Sequence, residues 1–321
     1  MKAVVLHKLG DAPHFEDFPD PTPMEGEALV NVKAASLNHV SKSRARGSHY
    51  DSYQQLPAVC GVDGVGVLED GTRVFFGGCR PPYGTMSELT VAPKAWCGAV
   101  PEDINDLTAA ALPNAALSSW LPLAYRAQLQ KGETVLILGA TGVAGKVAIQ
   151  VAKSLGAGRV VAAGRNEQLL QTLPNLGADA SISLSQSDQD LAKAFAQEAS
   201  IHPFNIILDY VWGHPVEVLM TALTRHELMA EESRIRLVSI GALAGPTASI
   251  PSAALRSSGL ELYGSGGGSV SHKAIFETFP KMWALASSGK LSIDVLPIPL
   301  ADAEEIWDRQ DTMGRRFVFV P

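Results

Sequence analysis

The segment Gly139-Ala140-Thr141-Gly142-Val143-Ala144-Gly145 places three glycines at three-residue spacing. Glycine at the first position lets a chain turn sharply out of a strand. Glycine at the second removes the side chain that would stand between backbone and a phosphate, and glycine at the third lets a helix pack close to a strand. A helix that starts in such a loop presents free N–H groups and the positive end of its dipole to an anion. The pattern carries weight only between a strand and a helix. Here Thr134–Leu138 is a continuous apolar run, and Ala144, Val147, Ala148, Val151, Ala152 and Leu155 recur at helical spacing until Gly156. The spacing therefore predicts a dinucleotide whose pyrophosphate lies on Gly139, Ala140, Thr141, Gly142, Val143, Ala144 and Gly145.

The next expected strand, Arg159–Gly164, says which dinucleotide. Folds that bind NAD end this strand on Asp or Glu, which accepts from the ribose 2′-hydroxyl. This chain reads Ala162-Ala163-Gly164-Arg165-Asn166 there. A carboxylate would repel a 2′-phosphate, whereas a guanidinium holds it with two charge-assisted hydrogen bonds. The expected cofactor is NADP(H), with Gly164, Arg165 and Asn166 at its adenosine end. The alternatives are a solvated surface arginine at Arg165 and a helix N-cap at Asn166.

These residues need a scaffold, and its class is α/β. From about Trp120, strands and helices alternate. Further strands are expected at Ser181–Leu184, Asn205–Asp209, Arg236–Ile240 and Leu260–Tyr263, with a helix at Gln168–Leu176. Strands without polar alternation are buried on both faces, and six of them make a doubly wound parallel sheet. The first third differs. Lys2–Leu6, Glu27–Ala34, Val65–Leu68 and Arg73–Phe76 are short Val-containing runs between Gly, Pro and Asp turns, as in a partly closed β-barrel. Pro101–Asn114 reads as a mostly helical connector. A Gly/Ser stretch, Ser265–Ser269, precedes a helix at Lys273–Ser287, and Arg316–Val320 reads as a last strand.

Composition limits what the chain does. At 321 residues, about two domains are expected. A net charge of −7 argues against a nucleic-acid surface. The cysteines Cys60, Cys79 and Cys97 show no short spacing, which fits a reducing compartment rather than a disulfide framework. The Met1 end lacks a long apolar segment, and the nearest approach to a membrane span, Leu107–Leu123, is interrupted by Pro113, Asn114 and two serines. The expectation is a cytoplasmic protein with no membrane partner. His39, His49, Cys60 and Asp63 lack metal-ligand spacing, so no metal is expected. The GxSxG elbow is absent, and Lys146 is followed by Val147 rather than by the Ser or Thr of a P-loop lysine motif.

The chain resembles the zinc-independent quinone oxidoreductase branch of the medium-chain dehydrogenase/reductases. The likeness rests on Ser36-Leu37-Asn38 with Arg46-Gly47, Gly61 to Val67, Tyr83 to Glu88, Ala110-Ala111-Leu112-Pro113, the Gly139–Gly145 loop, Asp209 to Gly213, Gly264-Ser265 and Arg316 to Val320. The resemblance implies a GroES-like catalytic domain (1–121 and 266–321), a Rossmann NADP-binding domain (122–265), a cleft between them, and a homodimer paired near Leu260–Tyr263. It implies that Asn38, Ser118, Gly264 and Ser265 line the nicotinamide end, with Gly241 flanking the cofactor. Zinc-dependent relatives place Cys near Asn38 and Gly-His-Glu where this chain has Gly61-Val62-Asp63.

The chain departs from the family where His39, Val40 and Ser41 follow Asn38, at Gly77–Pro82, and at Met229–Glu232, which reads as a surface insertion. Tyr50 and Tyr53 follow Arg46-Gly47 as candidate donors to a substrate oxygen, with packing aromatics as the alternative. The activity implied is hydride transfer from NADPH to a small electrophilic acceptor such as a quinone. The alternatives are an alkenal/enone or enoyl reductase, a non-catalytic NADPH-binding protein and a zinc alcohol dehydrogenase.

Overall fold

Thr134–Leu138 is buried along its whole length and occupies the interior of a six-stranded sheet. The structure is a computed structural model that describes residues 1–224, 233–309 and 313–321, so Met229–Glu232 lie outside the described residues. The sheet runs Ala180–Ser183, Arg159–Gly164, Thr134–Leu138, Ile206–Asp209, Ile235–Ser239, Leu260–Gly264, with every pairing parallel. Strand order therefore reverses between Thr134–Leu138 and Ile206–Asp209. In such sheets ligands bind beyond the carboxyl ends of the strands at this switch point.

The inner strands Thr134–Leu138, Arg159–Gly164 and Ile206–Asp209 are buried almost throughout because both their faces are covered, whereas the edge strands are partly exposed. Leu136, Leu138, Val161 and Ile207 share one core cluster with Phe195 of helix Asp188–Ile201 and Leu219 of helix His214–Leu223. Removing such side chains from water contributes about 1.5–3 kcal/mol each. The expected helix at Gln168–Leu176 is a single turn, Glu167–Leu170, followed by a 3-10 turn at Leu173–Leu176. Pro174 lacks an N–H and clashes with a continuing α-helix, which explains the break.

This sheet belongs to a compact unit of Ala115–Leu291, and the rest, Met1–Asn114 with Ser292–Pro321, forms a second unit. Helix His272–Ser287 lies in the parallel-sheet unit, and the chain crosses between units within helix Asp106–Leu121, which runs past the expected end of the connector.

The other unit is β-rich. Glu27–Ser36 pairs antiparallel with Asp63–Leu68, with Leu89–Pro93 and, at Val318↔Ser36 and Phe319↔Ala35, with the C-terminal strand Arg316–Val320. The end of the chain thus completes the sheet of its beginning. A smaller sheet orders His14–Asp17, Lys2–Leu6 and Ala58–Val59. Phe76, Met86, Trp307 and Phe319 fill the core. One short helix, His39–Arg46, has little apolar face and stands by its ends. Asn38 caps its start and Gly47, at φ 76°, closes it.

Candidate active site

Strand Thr134–Leu138 delivers the chain to Gly139, whose φ of 90° a side chain resists. The Gly139 and Ala140 N–H groups both donate to Ala163 O, at 2.9 and 2.8 Å, tying the loop to the neighbouring strand. Gly142 then caps helix Val143–Ser154 without a side-chain hydrogen bond, leaving the first turn's N–H groups to another acceptor. A Cβ on Gly145 would lie 2.3 Å from Gly139 O, so only glycine permits this close packing. A Cβ on Gly164 would lie 2.5 Å from Thr141 Cγ2, so the loop's threonine seats directly on the end of the second strand. These features fit a dinucleotide pyrophosphate.

Arg165 is exposed just beyond that strand, and its backbone oxygen accepts from Ser185 Oγ at 3.0 Å. Asn166 Oδ1 accepts from the Leu169 N–H at 3.0 Å. Asn166 is thus the N-cap of Glu167–Leu170, and its cofactor role is confined to what its amide nitrogen can add. Gly241 follows Ile235–Ser239 and approaches Tyr210, since a Cβ there would lie 2.7 Å from Tyr210 O. At the last strand, Ser265 N–H donates to Ser239 O at 2.9 Å, and a Cβ on Gly264 would meet nothing within 4 Å. The glycine loop, Gly164 to Asn166, Gly241 and Gly264-Ser265 thus gather at the carboxyl edge of one sheet.

Ser118 joins this edge through Tyr210, which the sequence showed only as part of the Asp209 to Gly213 segment and gave no role. Its hydroxyl donates to Ala115 O at 2.8 Å and stands 3.2 Å from the Tyr210 hydroxyl. Tyr210 leaves the end of Ile206–Asp209, across the switch point from Gly139, and burial holds its phenol well above the usual range. The preceding Asp209 is fully buried. Its Oδ1 accepts from the Val211 and Trp212 N–H groups at 2.9 and 3.0 Å, while Oδ2 has no partner, and burial pushes the carboxyl up to about 6. The signal for both residues was their place, directly after a fourth strand that the sequence does disclose.

The β-rich unit treats its candidates differently. Asn38 is buried. Its Oδ1 accepts from the Ser41 N–H at 2.8 Å and the Ser41 hydroxyl at 3.0 Å, and its Nδ2 donates to Asp63 Oδ1 at 3.1 Å and Ser36 Oγ at 3.4 Å. Those contacts use the full capacity of a side-chain amide. Asp63 also accepts from Ser36 Oγ at 2.9 Å, and burial pushes it up to about 6 against the pull of these hydrogen bonds and of Arg316.

Tyr53 packs its ring under Arg44, 4.7 Å from guanidinium to ring centre. Its buried hydroxyl lies near the Cys60 thiol and Gly61 N–H without a well-formed hydrogen bond, and desolvation drives the phenol far up. Tyr50 is 79% exposed, its ring 4.1 Å from that of His49. Cys60 is buried beside Tyr53, its thiol pushed up to about 12, whereas Asp63 faces Ser36 and Asn38. No group of three potential metal ligands is gathered among the described residues.

Comparison with known proteins agrees with this arrangement. The zinc-binding dehydrogenase family model matches residues 143–288. A probable NADPH-dependent quinone reductase, tdiC, of Emericella nidulans is 27% identical, covering 96% of this chain and 96% of its own. An NADPH-dependent alkenal/one oxidoreductase of Arabidopsis thaliana is 28% identical over 51% of this chain and 46% of its own. Among solved structures, the quinone oxidoreductase of Thermus thermophilus, determined also in complex with NADPH, superposes with a TM-score of 0.80 at 29% identity over all of both chains. These similarities support placing the chain with the zinc-independent quinone oxidoreductase branch of the medium-chain dehydrogenase/reductase superfamily.

Proposed function

We propose that this protein is an NADPH-dependent oxidoreductase that delivers hydride to a quinone or similarly electrophilic small molecule without zinc. The observation that carries this reading is the glycine loop at the switch point, followed at the end of the next strand by Arg165 instead of a carboxylate. The loop and the first turn of Val143–Ser154 bind the pyrophosphate, and Arg165 pairs with the 2′-phosphate. When bound, the cofactor supplies the hydride. An acceptor that is already electrophilic needs orientation and a donor to its developing oxyanion rather than a metal. Of Asn38, Tyr50 and Tyr53, Tyr50 is the largely exposed one, and it is the donor this reading assigns; Asn38 and Tyr53 serve the framework.

Similarity to the alkenal/one oxidoreductase supports a second reading, with an enal or enone as acceptor. NADPH oxidation is followed with a one-ring quinone and with a series of enals. Faster turnover of the quinone is expected, and turnover of enals alone contradicts the quinone assignment. The family resemblance further assigns a homodimer, and the edge strand Leu260–Gly264, with Leu262 42% exposed, is the surface proposed for it.

A further inference from the structure

Residues 48–53 follow helix His39–Arg46 and fold back on its C-terminal end. The Ser48 and His49 N–H groups both donate to Ser43 O, at 3.1 and 3.3 Å. Arg44 Nε donates to Asp51 O at 2.7 Å, and its guanidinium lies over the Tyr53 ring. Within this loop His49 is held at two points. Its backbone oxygen accepts from Ser52 Oγ at 2.6 Å, and its Nδ1 accepts from the Asp51 N–H at 3.0 Å. An imidazole nitrogen that accepts a hydrogen bond carries no proton, so the ring is neutral with its proton on Nε2. Both the backbone and the ring of His49 are therefore anchored.

Tyr50 is placed differently. It is 79% exposed, and its ring lies against that of His49, with ring centres 4.1 Å apart and planes inclined by 32°. An exposed tyrosine ordinarily samples several staggered χ1 wells. Contact with a second ring weights one arrangement over the others by about two- to tenfold. Because the His49 ring is itself held at Nδ1, it offers Tyr50 a fixed surface rather than a second mobile side chain.

We propose that His49 is a positioning residue whose anchored ring holds the Tyr50 ring in one orientation, so that the phenol meets the acceptor already placed. The inference rests on the assignment of Tyr50 as the donor in the reading above. The two contacts of the His49 ring can be separated. The Asp51 N–H needs only an acceptor atom at the place of Nδ1, whereas Tyr50 needs the flat ring. Asparagine at position 49 supplies the acceptor without the ring, and phenylalanine supplies the ring without the acceptor.

The test follows NADPH oxidation by a one-ring quinone in the full chain. In parallel, the Tyr50 ring protons are observed by NMR with ring-labelled tyrosine, their signal being identified by its loss in Tyr50→Phe. His49→Asn is expected to lower kcat by about threefold with the NADPH Kd unchanged, and to move the Tyr50 signal from the upfield position of a stacked ring to that of a free tyrosine. His49→Phe is expected to keep kcat within about twofold and to keep the upfield signal. In a Tyr50→Phe background, where there is no phenol to place, His49→Asn is expected to change kcat no further.

A Tyr50 signal that stays in place in His49→Asn overturns the proposal. So does a loss of kcat that persists in the Tyr50→Phe background, which a merely structural role for His49 predicts, and so does a wild-type kcat in His49→Asn when Tyr50→Phe is impaired. A Tyr50→Phe protein with the wild-type kcat is a different failure, because it removes the donor assignment on which the inference rests.

Discussion

The two clusters of buried and half-buried polar groups in this molecule are built on opposite plans. In the β-rich unit, Ser36, Asn38, Ser41 and Asp63 close on one another, and every hydrogen bond that Asn38 can make ends inside the protein. At the edge of the parallel sheet, Gly142 caps its helix with no side chain, Gly264 faces open space, and Asp209 keeps an unpartnered oxygen. The first plan makes a framework, because a satisfied buried network rigidifies what it joins. The second leaves donors, space and charge unused in the absence of a ligand, as a binding site requires. A polar residue near a glycine-rich segment is therefore not by itself a ligand contact, and the number of its internal partners decides between the two.

The sharpest way to break this contrast is to fill the open cluster. Gly145→Val drives side-chain atoms into Gly139 O and Ala140 Cα, which a Cβ alone would approach to 2.3 and 2.5 Å. We expect NADPH affinity to fall by roughly 100-fold, or ~3 kcal/mol, measured by fluorescence titration. The converse variant, Asn38→Ala, removes a helix cap and a partner of Asp63. It is expected to cost about 2–3 kcal/mol in urea unfolding while changing the NADPH Kd less than about threefold. A large loss of NADPH binding with unchanged stability would reverse the roles given to the two clusters.

The buried carboxylates sharpen the comparison through pH. Burial raises both Asp63 and Asp209 from the ordinary aspartate range to about 6. The folded state thus holds protons that the unfolded chain has released, so these groups favour folding fully below about pH 4, and their contribution is lost as pH rises through about 6. Among the described residues, Asp209 lacks the nearby arginine that Asp63 has in Arg316. Asp209→Asn is expected to flatten the fall of the thermal midpoint between pH 4 and 6, by about 1–2 kcal/mol in stability. An unchanged slope would mean that Asp209 is ionised throughout.

The smallest effects are expected at the tyrosines. Tyr53→Phe deletes an unpartnered buried hydroxyl and should leave kcat unchanged and stability within about 0.5 kcal/mol. Tyr50→Phe should lower kcat by about tenfold with the fold intact if its phenol donates to the acceptor. Equal kinetics for the two variants would remove Tyr50 from the proposed chemistry.

Much of the parallel sheet was legible. Thr134–Leu138 and Arg159–Gly164 fall where apolar runs place them, because strands buried on both faces need no periodicity to be recognised. The loop between strand and helix was equally plain, since glycine is dictated there by backbone contact. Helix His39–Arg46 was not expected, because it lacks an apolar stripe and only its Asn38 and Gly47 caps announce it. The same reason hid the internal contacts of Asn38: an asparagine suits a cap and a ligand equally well, and one of its partners, Asp63, lies 25 positions away. Tyr210 was given no role because its contact is with Ser118, 92 positions away, which no local pattern connects to it.

The central claim is that this sheet edge holds NADPH and that Arg165 selects it over NADH. Titration of wild type and Arg165→Ala with both nucleotides, followed by fluorescence quenching, tests it directly. We expect NADPH to bind wild type at least about tenfold more tightly than NADH, as one charge-assisted pair to the 2′-phosphate provides, and the substitution to erase most of that difference. Equal binding of the two nucleotides by wild type, or a preference that survives Arg165→Ala, would contradict the claim.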